Sequence, residues 1–402
     1  MSDQLFKSQA ISENPGNVAE GLKLFIPGPI MLSQRVRNAA AFPEFGHRNF
    51  IGREIFTKVQ LGLREIGEVK EADYEALLIN GSGTNGMETV LRSLVGKDDR
   101  LLCVTVGAFG DLFVDIAKAN GKSCDVLAFP PGQRIDLDEL RKKLEEKTYS
   151  RVAFTHHESS TGVTNDIFAL VNIVNTYGAI PIVDGISAFG GMPTGLRDAA
   201  PAVYIAASQK CLGVLAGLAI ILIHKSILHE IKNNKERGYV TDLLRYLEFA
   251  KLGEPLTTPN CAVFNQLAIQ VDHIQHEGIS SRFRRHLQLR NVVRDWVRQQ
   301  SKYMRLFVRE DDVASNALTA IEVDKDFNLE EMAEVLLRRG YVIDTGYPPM
   351  NHQLLTARGI KVFRIPHMGD LTLSALQEYL LAIEFFLEEK KGCLFKSVQQ
   401  NN

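Results

Sequence analysis

Two polar side chains interrupt the most apolar part of the chain, and their chemistries are complementary. Asp184 closes the run Ile180-Pro181-Ile182-Val183, and Lys210 lies in Ser208-Gln209-Lys210-Cys211, just ahead of the apolar run 214–223. A carboxylate and an ammonium displayed at the tips of neighbouring buried strands are the equipment of a pyridoxal phosphate enzyme. The lysine forms a Schiff base with the cofactor aldehyde, and the carboxylate keeps the pyridine nitrogen protonated so that the ring accepts electrons. Taken alone, the pair is equally what a surface lysine and a strand-end aspartate look like in any α/β protein.

The neighbouring segments supply context. Gly81-Ser82-Gly83-Thr84-Asn85-Gly86 follows a short apolar run, 76–79, and precedes the helical Met87-Glu88-Thr89-Val90. Strand, glycine loop and helix make a phosphate cup, because glycines let the backbone approach an anion and the first helical N–H groups point at it. The same six residues match the G-x-G-x-x-G dinucleotide fingerprint. That fingerprint needs an acid at the end of the second strand for the ribose. Here the second strand, 101–106, ends in Val106-Gly107-Ala108, and Asp98 and Asp99 precede it. No Gly-Lys-Ser/Thr follows the glycines. The phosphate cup therefore stands, while a nicotinamide site and an NTPase site are disfavoured. Phe109, among small residues at a strand end, is a candidate to lie on a cofactor ring, although a lone aromatic is more often core. His156-His157-Glu158 lacks H-E-x-x-H spacing, so no metal is expected there.

Apolar strands alternate with helical segments from about residue 76 to 223, which predicts a mainly parallel sheet with its site at the carboxyl ends of the strands. The clusters 81–86, 156–162 and 184–187 all fall at such ends. Helices are expected over 33–41, 52–69, 112–119, 136–147, 168–177, 226–238 and 262–277. The segment 280–300 carries six arginines with Phe283, Leu287, Val293, Trp296 and Val297 on one face. It reads as an amphipathic helix with a solvated basic face rather than a nucleic-acid stripe. From about residue 305 a compact α+β unit follows, with 344–359 read as a loop. The expected divisions are an N-terminal arm 1–23, a large domain 24–281, a small domain 282–390 and a frayed tail 391–402.

The totals exclude several classes. With 46 Lys and Arg against 48 Asp and Glu, the net charge of −2 gives no general pull toward nucleic acid or anionic membrane. Five scattered cysteines suit neither a disulfide framework nor zinc, and point to the cytoplasm. The start of the chain is polar, and the longest apolar run falls far short of the roughly 20 residues of a membrane helix.

The ordered set FIPGP, GSGT, VGAFG, HHESSTGV, VDGISAFGG, SQKCLG, TTP and FRIPHMGDLT resembles fold-type I pyridoxal phosphate enzymes, in particular the class V aminotransferases of the alanine–glyoxylate, serine–pyruvate and 2-aminoethylphosphonate–pyruvate kinds. The resemblance runs from about Phe25 to Phe386. It implies a seven-stranded, mainly parallel large-domain sheet and a smaller C-terminal α+β domain. It implies that Lys210 carries pyridoxal 5'-phosphate and that Asp184 pairs with the ring nitrogen. Ser82, Gly83 and Thr84 would cradle the phosphate beside Gln209. Phe109 would stack on the ring, Ser159 would reach its hydroxyl region, and Thr257 would touch the phosphate of the partner subunit in a homodimer. Arg364 would take the substrate carboxylate, with Pro27 and Gly28 nearby; its alternative is a structural salt bridge. The implied substrates are a small amino acid, alanine or serine, and a 2-oxo acid, glyoxylate or pyruvate. An anionic donor (phosphoserine, aspartate or 2-aminoethylphosphonate) is the alternative. A lyase of the cysteine desulfurase kind is disfavoured, because 344–363 holds no cysteine. The segment 344–359 is longer than the turn usual in the family and lies just before Arg364.

Overall fold

The structure is a computed structural model that describes residues 21–399, with side chains to residue 389. The first 20 residues of the expected arm and residues 400–402 of the expected tail lie outside the described residues. The chain opens with β1 (Lys23–Phe25), α1 (Gln34–Ala39) and α2 (Phe50–Ile66). The α2 start is set by Asn49, whose side chain accepts from Gly52 N, leaving one fewer free amide in the first turn. Then come β2 (Tyr74–Gly81), α3 (Gly83–Leu94), β3 (Leu101–Thr105), α4 (Ala108–Ala119), β4 (Cys124–Ala128), α5 (Leu137–Glu146) and β5 (Arg151–Thr155). A small ribbon, β6 (His157–Glu158) with β7 (Val163–Thr164), precedes α6 (Ile167–Thr176), β8 (Ile180–Asp184), β9 (Val203–Ala207) and β10 (Gly217–His224).

The main sheet has seven strands in the order β2-β10-β9-β8-β5-β3-β4. Its pairs are parallel from β9 to β4, and β10 runs antiparallel to both β2 and β9. Six strands thus point the same way, and β10 alone returns. Strands β3, β5, β8 and β9 are buried at every residue, as strands covered by helices on both faces must be. Their continuous apolar runs are the reason. Helices α4, α5 and α6 have apolar faces; in α5 only Leu140 and Leu144 are buried, and Asp136 caps its first turn.

Beyond β10, the expected helix over 226–238 is shorter. A 3₁₀ turn leads into α7 (Leu228–Asn233), which ends where Asn234 turns its side chain back to Arg92 O at 2.6 Å. Helix α8 (Leu243–Ala250) follows, then α9 (Cys261–Glu277) and α10 (Ile279–Gln299). The last segment contains β11 (Met304–Leu306), β12 (Leu318–Asp324), α11 (Leu329–Arg338), β13 (Tyr341–Ile343), α12 (Pro348–Arg358), β14 (Ile360–Pro366) and α13 (Leu373–Gln399). Strands β11, β12 and β14 form a three-stranded antiparallel sheet, while β1 pairs in parallel with β13.

A second apolar core gathers Leu289, Val293, Trp296, Ile321, Phe363 and Tyr379. Phe25, from the start of the chain, belongs to it and stacks on Tyr379 at 3.8 Å. The segment after Phe25 is thereby anchored where it passes the carboxyl edge of the main sheet.

Two expectations are corrected. The segment 344–359 is not a loop, since α12 occupies most of it. Pro348 and Pro349 start that helix, where a missing N–H costs nothing, and Gly359 ends it in the left-handed region at φ +65°. The basic face of α10 is not wholly solvated. Arg282 and Arg294 are 0% and 2% exposed. Arg294 donates to the Val308 and Arg309 carbonyls and pairs with Asp311 at 2.5 Å. Buried arginines need such partners.

Candidate active site

Asp184 stands at the carboxyl end of β8, 3% exposed. Its Oδ1 accepts Ile186 N at 2.8 Å, which turns the chain away from the sheet. Burial pushes its carboxyl up to about 7. A carboxylate so placed favours a cation or a protonated ring nitrogen beside it.

Lys210 arrives from the end of β9, in a turn closed by Gly213 N donating to Lys210 O at 2.8 Å. Burial, and after it the Arg364 charge, draws the amine down to about 8. Nζ donates to Pro27 O at 2.5 Å. Gly28 has φ +129°, and a Cβ there would lie 2.8 Å from both Cδ and Nζ of Lys210. Only glycine allows the Pro27–Pro29 segment to pass over the lysine.

The phosphate cup differs in detail from the sequence reading. Helix α3 begins at Gly83, so Gly83, Thr84, Asn85 and Gly86 are helical rather than a loop. Ser82 N and Oγ both donate to Asn85 Oδ1, at 2.8 and 3.0 Å, which fixes the helix start. Open amides at such a start attract anions. A Cβ on Gly83 would come within 2.5 Å of Ile186 Cδ1, so the cup stays open only with glycine.

One cavity of about 250 Å³ collects eight of the twelve expected residues: Gly28, Gly83, Thr84, Phe109, Ser159, Asp184, Gln209 and Lys210. Met87, Leu112, Ile186 and Ser187 complete its lining. Ile186 and Ser187 belong to the cluster 184–187 that the sequence sets at the strand ends, without a role; Met87, one helical turn beyond Gly83, and Leu112 are missed. Four expected residues do not line the cavity. Ser82 is occupied in capping, and Pro27 contributes its carbonyl to Lys210. Thr257 accepts from Asn80 Nδ2 at 3.0 Å and stays outside its own chain's cavity. Arg364 stands behind Ser159.

Phe109 is aimed by a buried carboxylate. Glu158 accepts from Phe109 N at 3.1 Å, Gly110 N at 3.0 Å and Ser160 Oγ at 2.6 Å. Burial pushes its carboxyl up, and these donors oppose the push. Ser159 Oγ donates to Ser187 Oγ at 3.2 Å, and Ser187 Oγ meets His157 Nδ1 at 2.9 Å. His156 Nδ1 meets Tyr204 Oη at 2.8 Å. Burial takes both imidazoles down to about 3, so both are neutral. The His-His-Glu triplet thus sends its side chains to three separate tasks.

Arg364, on β14, realises the salt-bridge alternative. Nε and Nη2 donate to Asp344 Oδ2 and Oδ1 at 2.8 and 2.7 Å, and Nη1 donates to Ser159 O at 2.8 Å. Both side chains are largely buried. The ion pair does not exclude a substrate role, because the guanidinium retains further N–H groups.

The residues present fit pyridoxal phosphate. A glycine-lined helix start, a buried carboxylate with no cation hydrogen-bonded to it among the described residues, a lysine poised near neutrality and a flanking aromatic ring share one cavity. The buried Gln209 Oε1 has no hydrogen-bond partner among the described residues, leaving an acceptor available at the cup.

A family model described as aminotransferase class-V matches residues 52–364. The 2-aminoethylphosphonate–pyruvate transaminase of Lysinibacillus sphaericus is 25% identical, covering 92% of this chain and 98% of that protein. The serine–glyoxylate aminotransferase of Arabidopsis thaliana is 26% identical over 91% of this chain and 90% of its own length. Among solved structures, an alanine–glyoxylate aminotransferase from Nostoc sp. superposes with a TM-score of 0.84 at 21% identity, covering 96% of this chain and 99% of that one. With this match spanning most of its length, the chain belongs to the class-V aminotransferase family and is a pyridoxal phosphate-dependent transaminase.

Proposed function

We propose that the enzyme moves an amino group from a small amino acid, alanine or serine, to glyoxylate or pyruvate in two half-reactions. The observation that carries this reading is the meeting of Lys210, Asp184 and the α3 start in one cavity, with Arg364 directly behind Ser159. Pyridoxal phosphate, when bound, holds the amino group and draws electrons from the substrate's α-carbon. Asp184 stabilises positive charge on the ring nitrogen. Lys210 Nζ would hold the cofactor at rest and would take and return the α-proton; an amine already drawn down to about 8 serves as a base near neutral pH. Gly83, Thr84 and Gln209, with Ser82 fixing the helix start, hold the phosphate. Phe109 and Ser159 would flank the ring, and Arg364 would take the substrate carboxylate near Pro27 and Gly28. The names of the serine and alanine relatives support small donors.

The large domain is taken as 24–281 and the small one as 282–390. A homodimer in the cytoplasm completes the reading. In this reading Thr257, which lies outside its own chain's cavity, serves the partner's phosphate. Phe50 and Leu252 are 70% and 60% exposed on surfaces joined by the Arg53–Glu254 ion pair, a candidate face for the second subunit. Four described cysteines are free thiols, which suits a reducing compartment.

A second reading, an anionic donor such as 2-aminoethylphosphonate, aspartate or phosphoserine, is favoured by the name of the Lysinibacillus relative. The test is spectroscopic. The purified holoenzyme's cofactor band should bleach with L-alanine or L-serine and return with glyoxylate or pyruvate, and Lys210→Ala should abolish turnover. Bleaching only by 2-aminoethylphosphonate, aspartate or phosphoserine selects the second reading, and no response to any donor overturns both.

A further inference from the structure

The pairing of Arg364 with Asp344 gives the carboxylate subsite a feature that the family resemblance does not supply. A guanidinium has five N–H groups. Two of those on Arg364 are spent on Asp344 and one on Ser159 O, which leaves one on each terminal nitrogen. A carboxylate takes two. Asp344 is itself held on both sides. It bridges antiparallel to Arg364 through the backbone, and its Oδ2 also accepts Gly346 N at 2.9 Å. From there the chain enters α12, whose Asn351 side chain exchanges two hydrogen bonds with the backbone of Val362, two residues before Arg364. At Gly346 (φ +97°), a Cβ would collide with Val362 O, so the turn is pressed against β14. The long segment before Arg364 is therefore a frame that fixes the arginine, not an ornament at the entrance.

We propose that Asp344 is a positioning residue for substrate recognition: it occupies one edge of the Arg364 guanidinium and so orients the two remaining N–H groups toward the substrate's carboxylate. This rests on the aminotransferase reading. Without Asp344 the guanidinium keeps its charge but loses two of its three anchors, and the carboxylate is held in more than one orientation. Small misplacements at a reacting centre are expensive, on the order of 100-fold per ångström in rate.

The test uses holoenzyme and two probes that both capture the bound cofactor and erase its absorption band, aminooxyacetate and O-methylhydroxylamine. Only the first carries a carboxylate. Asp344→Asn should slow capture by aminooxyacetate roughly 10- to 100-fold and leave capture by O-methylhydroxylamine within about twofold. It should lower kcat/KM for L-alanine in parallel with the aminooxyacetate loss, and Asp344→Glu should recover part of both. Equal slowing with both probes would mean that Asp344 merely supports the fold, and unchanged capture by aminooxyacetate would mean that Arg364 needs no such partner; either result overturns the proposal. If the wild type prefers aminooxyacetate and Asp344→Asn loses that preference, but no amino acid exchanges with an oxo acid, the transaminase substrates fall while Asp344's role stands.

Discussion

Arg282 gives the sharpest test of how the site is held from behind. Its guanidinium is fully buried on α10. Nε donates to Gly190 O at 3.0 Å and Nη2 to Cys211 O at 2.7 Å, while Nη1 reaches Glu277 at 2.9 Å and Asp370 at 3.0 Å. One cation thus ties the turn after Asp184, the residue after Lys210, and the loop beyond Arg364. In Arg282→Met the apolar volume is roughly kept. Glu277 retains Arg285 at 2.6 Å, but among the described residues Asp370 keeps Gln270 at 2.9 Å and the more distant Arg35 at 3.8 Å, and the two carbonyls lose their donor. Two buried acceptors without donors cost about 1–3 kcal/mol each. Removing one partner of a buried ion pair costs about 3–5 kcal/mol. These overlap rather than add, so the expected loss is about 4 kcal/mol, read as a lower denaturant midpoint at unchanged slope. Arg282→Lys should recover less than half, because an ammonium cannot span four acceptors. The pH dependence carries a sign. Burial alone would raise the Asp370 carboxyl, but Arg282 and then Gln270 hold it below its ordinary range. A depressed carboxyl stabilises the fold above its unfolded value, and that contribution is lost as pH falls through the folded one. The gap between wild type and Arg282→Met should therefore narrow as pH falls below about 4. A loss under about 1 kcal/mol at pH 7 would refute the reasoning, since no fully buried guanidinium with four partners should be that dispensable.

Three other perturbations probe the site directly. Gly28→Ala forces a methyl to within 2.8 Å of Lys210 Nζ in a left-handed backbone, so cofactor content measured by absorbance should fall at least about tenfold, and full occupancy would contradict the close passage. In cofactor-free protein, Asp184 titrates near 7 when folded but near 3.9 unfolded, so stability should decline from about pH 4 to 7 and level off above. Asp184→Asn should lack that decline and exceed the cofactor-free wild type above pH 7, while its holoenzyme loses activity; parallel stability curves would count against a neutralised buried carboxyl. Glu158→Gln turns one of two oxygens that together accept from Phe109 N, Gly110 N, Ser160 N and Ser160 Oγ into a donor, so at least one of those backbone amides loses its acceptor; this should cost about 1–3 kcal/mol in thermal unfolding and weaken cofactor retention, whereas an unchanged Tm would show that the amide finds another acceptor.

What the sequence discloses here and what it hides follow one physical division. Residues at the ends of parallel strands are legible, because the apolar runs before Asp184, Lys210 and His156 must be buried and chain direction then places their polar successors on one edge. The start of α3 is hard to read because glycines suggest a loop; Gly86 is helical, and glycine is needed there because a Cβ would meet Ala219 Cβ at 2.9 Å where the helix lies against β10. The helix α12 carries its own signals in Pro348, Pro349 and Gly359, which the loop reading of 344–359 leaves unused. The counter-ions were not legible at all. The helical period of α10 places its arginines on a solvated face, and nothing local to the helix announces that Arg282 is buried against Asp370, nor does anything near Arg364 announce Asp344 twenty residues earlier. Charges inside a protein must be paired, but the partner is chosen by tertiary approach, which a one-dimensional pattern does not encode. The cofactor-facing residues of this enzyme therefore lie in recognisable motifs, while the residues that orient them, Asp344 for Arg364 and Arg282 for the Lys210 turn, are found only when the chain is folded.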